Sequence, residues 1–443
     1  MVIESLKYKI LQQFGFAPTQ EQGQALDTFV SFLTDRDPQA VMILRGSAGT
    51  GKTSLSGAIV RTLLQIRQKV MLLAPTGRAA KVFSLGSGAP AYTIHRRIYR
   101  EKAFAGVDGQ FSLNDNLYTD TLFMVDEASM IANMGLGGTT FGSGCLLDDL
   151  VKFVYQGHND RLLLIGDKAQ LPPVGEEESP ALSASVMEGY GLKVYECDLN
   201  EVLRQSQSSG ILYNATLIRQ MITHDAVTGL PLIRFKGFAD IVMMPGAELV
   251  ESLGDSYHHV GMDETMVITR SNKRANIYNN GIRNMVLDRE EELSSGDMLM
   301  IVKNNYFWTE KEKKESGEGS AGAVPAFLAN GDRAKVLRVS NYIELYGFRF
   351  ATLLLQLPDY DDYEMQVTGM LDTLQSEAPA LTHEQQEELF RQVEEDYQHF
   401  VPLKADRMKS IRQDAYFNAL QIKYAYAVTC HKAQGGQWAH VYV

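Results

Sequence analysis

The stretch GSAGTGKT, Gly46 to Thr53, constrains the fold of this chain more than any other. Three glycines let the backbone turn tightly and approach a bound group closely. Before them runs AVMIL from Ala40; after them comes KTSLSGAIVRTLLQIRQ, where Leu55, Ile59, Leu63 and Ile66 recur at helical spacing. A continuous apolar run, a glycine turn and an amphipathic helix make a strand-loop-helix unit of an α/β sheet. Three more short apolar runs read as strands buried on both faces of a parallel sheet: KVMLLAP from Lys69, TLFMVDE from Thr121 and RLLLIGD from Arg161. The first 200 residues or so are therefore expected to be α/β.

In that context the glycine loop has the phosphate-loop pattern. Gly46, Ser47, Ala48, Gly49, Thr50, Gly51, Lys52, Thr53 and Ser54 are the candidate nucleotide ligands. Backbone N–H groups would turn onto phosphate oxygens, Lys52 would neutralise the β/γ-phosphates, and the Thr53 hydroxyl would reach Mg²⁺. Nucleoside triphosphate binding, with ATP and Mg²⁺ as cofactors, is the expectation. Asp126 and Glu127 end the third apolar run, at the edge where open parallel sheets gather ligands. Asp126 suits Mg²⁺ held through water, and Glu127 suits positioning or deprotonating an attacking water. An acidic pair at a strand end is more often a helix cap, but the upstream loop favours hydrolysis. Gln170, in GDKAQLPPVG after the fourth run, is placed to sense the γ-phosphate, and Pro172 and Pro173 stiffen the chain leading away from it.

Composition excludes several classes. The 443 residues are 45% hydrophobic and 22% charged, ordinary for a soluble chain of two or three domains. No apolar run approaches a membrane span and the start lacks a leader pattern, so a cytoplasmic protein with no membrane partner is expected. Three scattered cysteines, Cys145, Cys197 and Cys430, fit neither a disulfide framework nor a metal cluster. A net charge of -12 argues against a non-specific nucleic-acid binder, although a basic channel inside an acidic chain leaves the total negative.

Further along, GILYNATLIRQ and TMVITRS suggest a second α/β segment. From about Ser294, DMLMIVKNNYFW, AKVLRVS and FRFATLLLQL alternate as in a small antiparallel β domain. KEKKESGEGSAGAVPA, Lys311 to Ala326, reads as an exposed loop, HEQQEELFRQVEEDY as an acidic helix with a solvated face, and AYFNALQIKYAYAV as helical. Tyr306, Phe307 and Trp308 beside Lys303 would stack bases or pack the β domain; packing is favoured for two of the three.

Seven motifs in order, GSAGTGKT, APTGRAAK, TIH, VDEAS, GDKAQLPPV, LNEVLRQ and VTCHKAQGGQW, resemble those of superfamily-one DNA helicases. The GDxxQLPPV and TCHKAQG forms resemble the RecD-like and Pif-type branch, whose members translocate five-prime to three-prime on single-stranded DNA. The resemblance implies two RecA-like parallel-sheet domains with a small inserted hairpin and an SH3-like β domain. The first would span residues 1–200, with a hairpin insertion at 96–117; the second 201–293 and 411–443, interrupted by the β domain at 294–410.

By position, the resemblance carries over an adenine-reading role to Gln22 in PTQEQ, with a plain helix cap at Thr19 an equal local reading. Arg204 resembles an arginine finger that would complete the site when ATP closes the cleft between the domains. The DNA contacts implied are Pro75, Thr76, Gly77, Thr93 and His95, then Arg270, Ser271, Asn272, Thr429, His431 and Lys432, all suited to phosphates and sugars. Gly435, with Gln434, would face the nucleotide. Phe104 and Phe111 flank a turn that acts as a duplex wedge in related helicases, and a hairpin packed on the body explains them equally well. Single-stranded DNA and duplex junctions are the implied partners, with G-rich folded DNA a further candidate, and a monomer the implied state. Repair, recombination, replication and telomere maintenance are the implied settings.

The chain departs from the family's pattern in one respect: no arginine occurs beyond Arg412, whereas the family's last motif carries one. The ending predicts a further segment bearing that arginine. A nucleotide-gated DNA binder with impaired hydrolysis is the alternative, and an ATPase acting on a target other than nucleic acid a third.

Overall fold

The computed structural model describes residues 2–47, 49–103, 110–134, 142–201, 209–223, 229–316, 324–325 and 327–443. They form two compact units. The first comprises Met1–Pro75, Ala79–Lys102 and Gln110–Met244; the second Thr76–Arg78, Ala103–Gly109 and Pro245–Val443. Ala48, Phe104 and Arg204 lie outside the described residues.

The first unit opens with helices α1 (Val2–Phe14) and α2 (Gln20–Leu33), then strand β1 (Ala40–Gly46), α3 (Lys52–Gln65), β2 (Lys69–Ala74), α4 (Gly77–Ser87), β3 (Ala91–Thr93) and α5 (Ile94–Ile98). A hairpin, β4 (Tyr99–Ala103) and β5 (Gln110–Leu113), precedes β6 (Thr121–Val125), α6 (Leu146–Gln156), β7 (Arg161–Gly166), α7 (Ala184–Gly189), β8 (Lys193–Leu199) and α8 (Gly210–Thr223). The sheet order is β3-β2-β6-β7-β1-β8, and every pairing is parallel. Successive residues of β1 alternate between two cores. Ala40, Met42 and Leu44 pack with α1, α2 and α3, while Val41 and Ile43 pack with α5 and α6. Both faces are thus covered, as the four apolar runs require. This is a RecA-like doubly covered sheet. The short β3 and the half-exposed β8 carry no continuous apolar run, so neither is evident from sequence.

In the second unit α9 (Leu249–His259), β9 (Thr265–Thr269) and α10 (Asn272–Gly281) lead to β10 (Met298–Ile301), α11 (Phe307–Ser316), β11 (Arg333–Leu345), β12 (Phe348–Leu357) and β13 (Tyr363–Met370). Then come α12 (His383–Gln398), α13 (Lys404–Arg412), β14 (Leu420–Tyr424), β15 (Ala427–Thr429), α14 (Cys430–Ala433) and β16 (His440–Tyr442). β15, β9 and β16 make a three-stranded parallel sheet, and β10 to β14 close a small barrel.

Two stretches differ from their sequence reading. AYFNALQIKYAYAV is not helical: Leu420 to Tyr424 form the last barrel strand, antiparallel to β10 and parallel to β13. Leu420, Ile422 and Tyr424 enter the core while Gln421 and Lys423 point to polar partners, the period of two that a strand requires. The barrel therefore takes a strand from beyond residue 410. Lys311 to Ser316 continue a helix that starts at Phe307, their Lys and Glu residues being good helix formers. The acidic helix is α12 as read, held by a capping box between Thr382 and Gln385, with Leu389 and Val393 buried on one face and the acidic face solvated.

A buried ion network joins the parallel sheet of this unit to its barrel. The Asp297 carboxylate, fully buried just before β10, accepts from Arg283 Nε at 3.0 Å, Arg289 Nη1 at 2.6 Å and the Tyr426 hydroxyl at 2.7 Å. The Asn279 side chain bridges to both backbone groups of Ala427, at 2.7 and 2.9 Å, fixing the start of β15. Among the described residues, no helix is long and apolar enough to cross a membrane.

Truncating Ile422, fully buried in the barrel, tests the strand assignment. Ile422→Ala is expected to lower the stability of the second unit by about 2–5 kcal/mol in urea unfolding, as for other buried Ile to Ala changes.

Candidate nucleotide and nucleic-acid sites

In the first sheet β6, β7 and β1 are neighbours, so their C-terminal ends bring three loops together. The loop after β1 ends in Gly51, whose φ of +82° only glycine adopts without strain. A Cβ there would also stand 2.7 Å from Gln22 Nε2. Thr50 Oγ1 donates to the Ser47 carbonyl at 2.8 Å, and Lys52 Nζ donates to the carbonyls of Gly46 and, at 3.0 Å, Ser47. Burial lowers the Lys52 ammonium from its ordinary value, while Asp167, Glu127 and Asp126 oppose that shift.

After β6, the Asp126 carboxylate accepts from the Glu127 N–H at 2.9 Å. Glu127 itself sits in the left-handed region at φ 53°, ψ 36°, a conformation costing on the order of 1–3 kcal/mol and characteristic of functional positions. Burial raises both acids; the carboxylate of Asp126 raises Glu127 further, and Lys52 acts the other way on each. The Gln170 side chain accepts from Ser129 Oγ at 2.8 Å and acts to lower Glu127, so it is fixed beside the acid it would signal to. Thr53 is exposed at the start of α3. Among the described residues no cluster of three His, Cys, Asp or Glu forms a closed metal cage. The Asp126 carboxylate and the exposed Thr53 hydroxyl are oxygen donors of the kind Mg²⁺ takes.

Gln22 lies buried at the foot of the phosphate loop. It is 2% exposed, its Oε1 accepts from the Thr19 N–H at 3.0 Å, and its Nε2 donates to the Thr50 carbonyl at 2.9 Å. The capping box at Thr19 and the link to the phosphate loop are one structure. Next to it, Glu21 accepts the N–H groups of Asn200 and Glu201, tying α2 to the end of β8.

Two residues with no assigned role also join this edge. Asp167, directly after β7, acts electrostatically on Lys52 and Glu127. Arg219 on α8 lies against Asp167, the two being 16% and 10% exposed. Asp167 was legible within GDKAQLPP. Arg219 sits in an unremarkable helix, GILYNATLIRQ, and carries no motif signal.

The remaining sheet loops carry the nucleic-acid candidates. Pro75 follows β2 and leads to Thr76 and Gly77 at the start of α4. Thr93 ends β3 and caps α5 by accepting the Arg96 N–H at 3.3 Å. His95, packed beside the Tyr99 ring at 5.8 Å, is pushed down to about 4 by burial, so it is a neutral donor or acceptor at physiological pH. Phe111, on β5, packs partly buried against the core of the first unit.

In the second unit, Thr429 of β15 is the register partner of Thr269 of β9. TRSNKR and TCHKAQG thus leave the same edge side by side. Ser271 caps α10, with Arg270 and His431 exposed and Asn272 and Thr429 half-buried. Lys432 donates to the Asn330 side chain, and burial, with nearby Lys423 adding a like charge, brings it down to about 8. Gly435 has φ +72°, in the turn after α14. Tyr306 stacks on Phe327 at 5.0 Å, Trp308 is buried and donates to the Asn418 carbonyl at 2.9 Å, and Phe307 packs against the same core. All three aromatics pack within the unit.

These features define a phosphate-loop α/β protein, and residues 17–229 match the family model described as an AAA domain, AAA_30. The ATP-dependent RecD2 DNA helicase of Deinococcus radiodurans is 30% identical over 157 residues, 35% of this chain and 18% of that protein. The ATP-dependent DNA helicase dda of Enterobacteria phage T4 is 25% identical over 267 residues, 58% of this chain and 55% of it. Among solved structures, a Bacteroides Pif1 helicase in complex with ADP-AlF3 and ssDNA matches with 13% identity, 96% and 86% coverage of this chain and that one, and a TM-score of 0.45. The chain resembles superfamily-one helicases of the Pif-type and RecD-like branch. It spans less than a fifth of the RecD2 helicase and about half of dda.

Removing the Gln22 side chain leaves the Thr50 carbonyl and the Thr19 N–H without their partner. Gln22→Ala is expected to cost about 1–3 kcal/mol of stability in urea unfolding of the first unit without any nucleotide added, the penalty of orphaned buried polar groups.

Proposed function

We propose that this protein is an ATP-dependent DNA helicase, moving five-prime to three-prime on single-stranded DNA and opening duplex or folded DNA. The observation that carries the reading is the meeting, at one sheet edge, of Lys52, Asp126, Glu127 and Gln170 in an arrangement suited to hydrolysis. Lys52 would hold the β/γ-phosphates, Asp126 and Thr53 would hold Mg²⁺, and Glu127, oriented by Gln170, would position the attacking water. Mg²⁺ would supply charge neutralisation on the leaving phosphates.

The DNA reading is supported by Thr269 and Thr429 lying in register, which sets Arg270, Ser271 and Asn272 beside His431 and Lys432. Small polar groups, a neutral His95 and the cations Arg270 and Lys432 fit sequence-independent contact with phosphates and sugars. We assign one RecA-like domain to the first sheet and a second, smaller one to the β15-β9-β16 sheet, with the barrel in the SH3-like place. The five-prime to three-prime polarity follows from the branch resemblance, as do a cytoplasmic monomer, roles in repair, recombination, replication or telomere maintenance, and folded G-rich DNA as a substrate. Arg204 remains the proposed arginine finger.

ATP turnover with and without single-stranded DNA tests the reading, together with unwinding of duplexes bearing a five-prime or a three-prime tail. DNA-stimulated turnover and preference for the five-prime tail are expected. Lys52→Ala and Glu127→Gln should each lower turnover by on the order of 100-fold or more. Nucleotide binding without turnover would favour the nucleotide-gated binder, and preference for a three-prime tail would overturn the branch assignment.

The depressed Lys432 ammonium carries its own test. With a folded-state value of about 8, below the ordinary Lys range, the cation is present below that pH and lost above it. Affinity for single-stranded DNA is expected to fall between about pH 7 and pH 9 in fluorescence anisotropy, and Lys432→Gln should flatten that profile.

A further inference from the structure

On β14 the residues that turn away from the barrel core are Gln421 and Lys423. Gln421 accepts the Leu381 N–H at 2.9 Å. Lys423, 9% exposed, donates to the Ser376 carbonyl, which also accepts from Asn276 Nδ2 at 3.1 Å. Asn276 belongs to α10, the helix that Ser271 caps. Lys432, on α14, donates to Asn330 Oδ1. Both anchors lie at one end of the β10–β14 pair: the Gly331 N–H, next to Asn330, donates to the Ile301 carbonyl at 2.8 Å, and Ile301 pairs with Ile422, next to Lys423. The two lysines approach each other from different elements, closely enough that the Lys423 charge disfavours the Lys432 cation.

Buried charges are ordinarily paired, because an ammonium taken out of water needs a counter-charge. Among the described residues neither lysine has a carboxylate partner; both acceptors are neutral amide oxygens. Glu377, next to Ser376, is paired instead with Lys273 at 3.7 Å. An ammonium carries three N–H donors and each uses one on its anchor, so a ligand can be bound without either lysine leaving its place. Asn330 is exposed and Ser376 and Lys432 are half-buried, so the pair opens to solvent. Two cations in a small niche suit an anion with several oxygens on one centre, which is a phosphate. TRSNKR and TCHKAQG, leaving the neighbouring sheet edge side by side, border the niche through Asn276 and Lys432. A phosphate seated there would belong to the strand those segments are suited to hold.

We propose that Lys423 and Lys432 together hold one backbone phosphate of bound single-stranded DNA, Lys423 acting from the barrel and Lys432 from α14. The barrel is thereby part of the grip on the strand. The inference rests on the DNA binding proposed above, and it adds a contact residue that lies outside both polar segments.

The test is binding of fluorescent oligothymidylate to the full chain over a range of salt concentrations, for wild type, Lys423→Met, Lys432→Gln and the double variant. Lys423→Met keeps an apolar stem and removes the charge. It should weaken binding about fivefold or more at low salt and make the slope of log affinity against log salt shallower by about 0.7, the share of one contact on a single strand. Its urea midpoint should equal or exceed that of wild type, since a buried cation without a counter-charge has been removed. The double variant should lose less than the product of the single losses, because both lysines act on one ligand. An unchanged slope in Lys423→Met, or weaker binding accompanied by a lower urea midpoint, would make Lys423 a structural residue and overturn the proposal. Losses that multiply would put the lysines on separate contacts and overturn the shared site. Wild-type protein that binds no oligothymidylate would overturn the underlying DNA reading; wild type that binds, with Lys423→Met indistinguishable from it, would overturn this inference alone.

Discussion

The two-sided burial of the first sheet is the constraint on which the rest of that unit depends. Alternate residues of β1, β6 and β7 enter opposite cores, so no side chain along those strands is free for chemistry. Working groups are forced to the strand ends, and parallel pairing puts all the C-terminal ends on one edge. The same logic operates on a smaller scale in the second unit, where β15 beside β9 brings two distant polar segments into register. The buried Asp297 network and the Asn279 bridge hold that register from below. Removing one partner from such a network would leave a buried charge unpaired, a strongly destabilising change.

What could be read from the sequence was set by how local each signal is. The four continuous apolar runs became β1, β2, β6 and β7, because burial on both faces leaves a mark that needs no tertiary context. β14 escaped since LQIKY shares aromatic and aliphatic residues with a helical pattern, and only its pairing with β10 and β13 decides between the two periods. α11 escaped since its charged residues resemble a solvated loop until Phe307 and Trp308 anchor one end. In the site, Lys52, Asp126, Glu127 and Gln170 stand on motifs that state their own context. Gln22 was legible as a residue but not in its contacts: a resemblance names a position, whereas the bonds from its amide to Thr19 and Thr50 arise from the packing of α2 under the loop. Arg219 had no local signal at all, because its place beside Asp167 is a matter of tertiary packing.

The charges gathered at the edge explain why a divalent cation belongs to the proposed chemistry. Lys52 and Arg219 supply two positive groups, and Asp126, Glu127 and Asp167 three acidic ones. Burial lifts Asp126 and Glu127 and depresses Lys52, so each group carries its charge at a cost in a poorly solvated place. Adding a polyphosphate to this set deepens the negative excess unless a cation arrives with it. Asp126 is the carboxylate that would hold Mg²⁺, which would supply positive charge among these acids and leave Lys52 to the phosphate oxygens. Burial and the neighbouring Asp126 carboxylate are what raise Glu127. The left-handed backbone at Glu127 fixes the direction in which its side chain leaves the strand end.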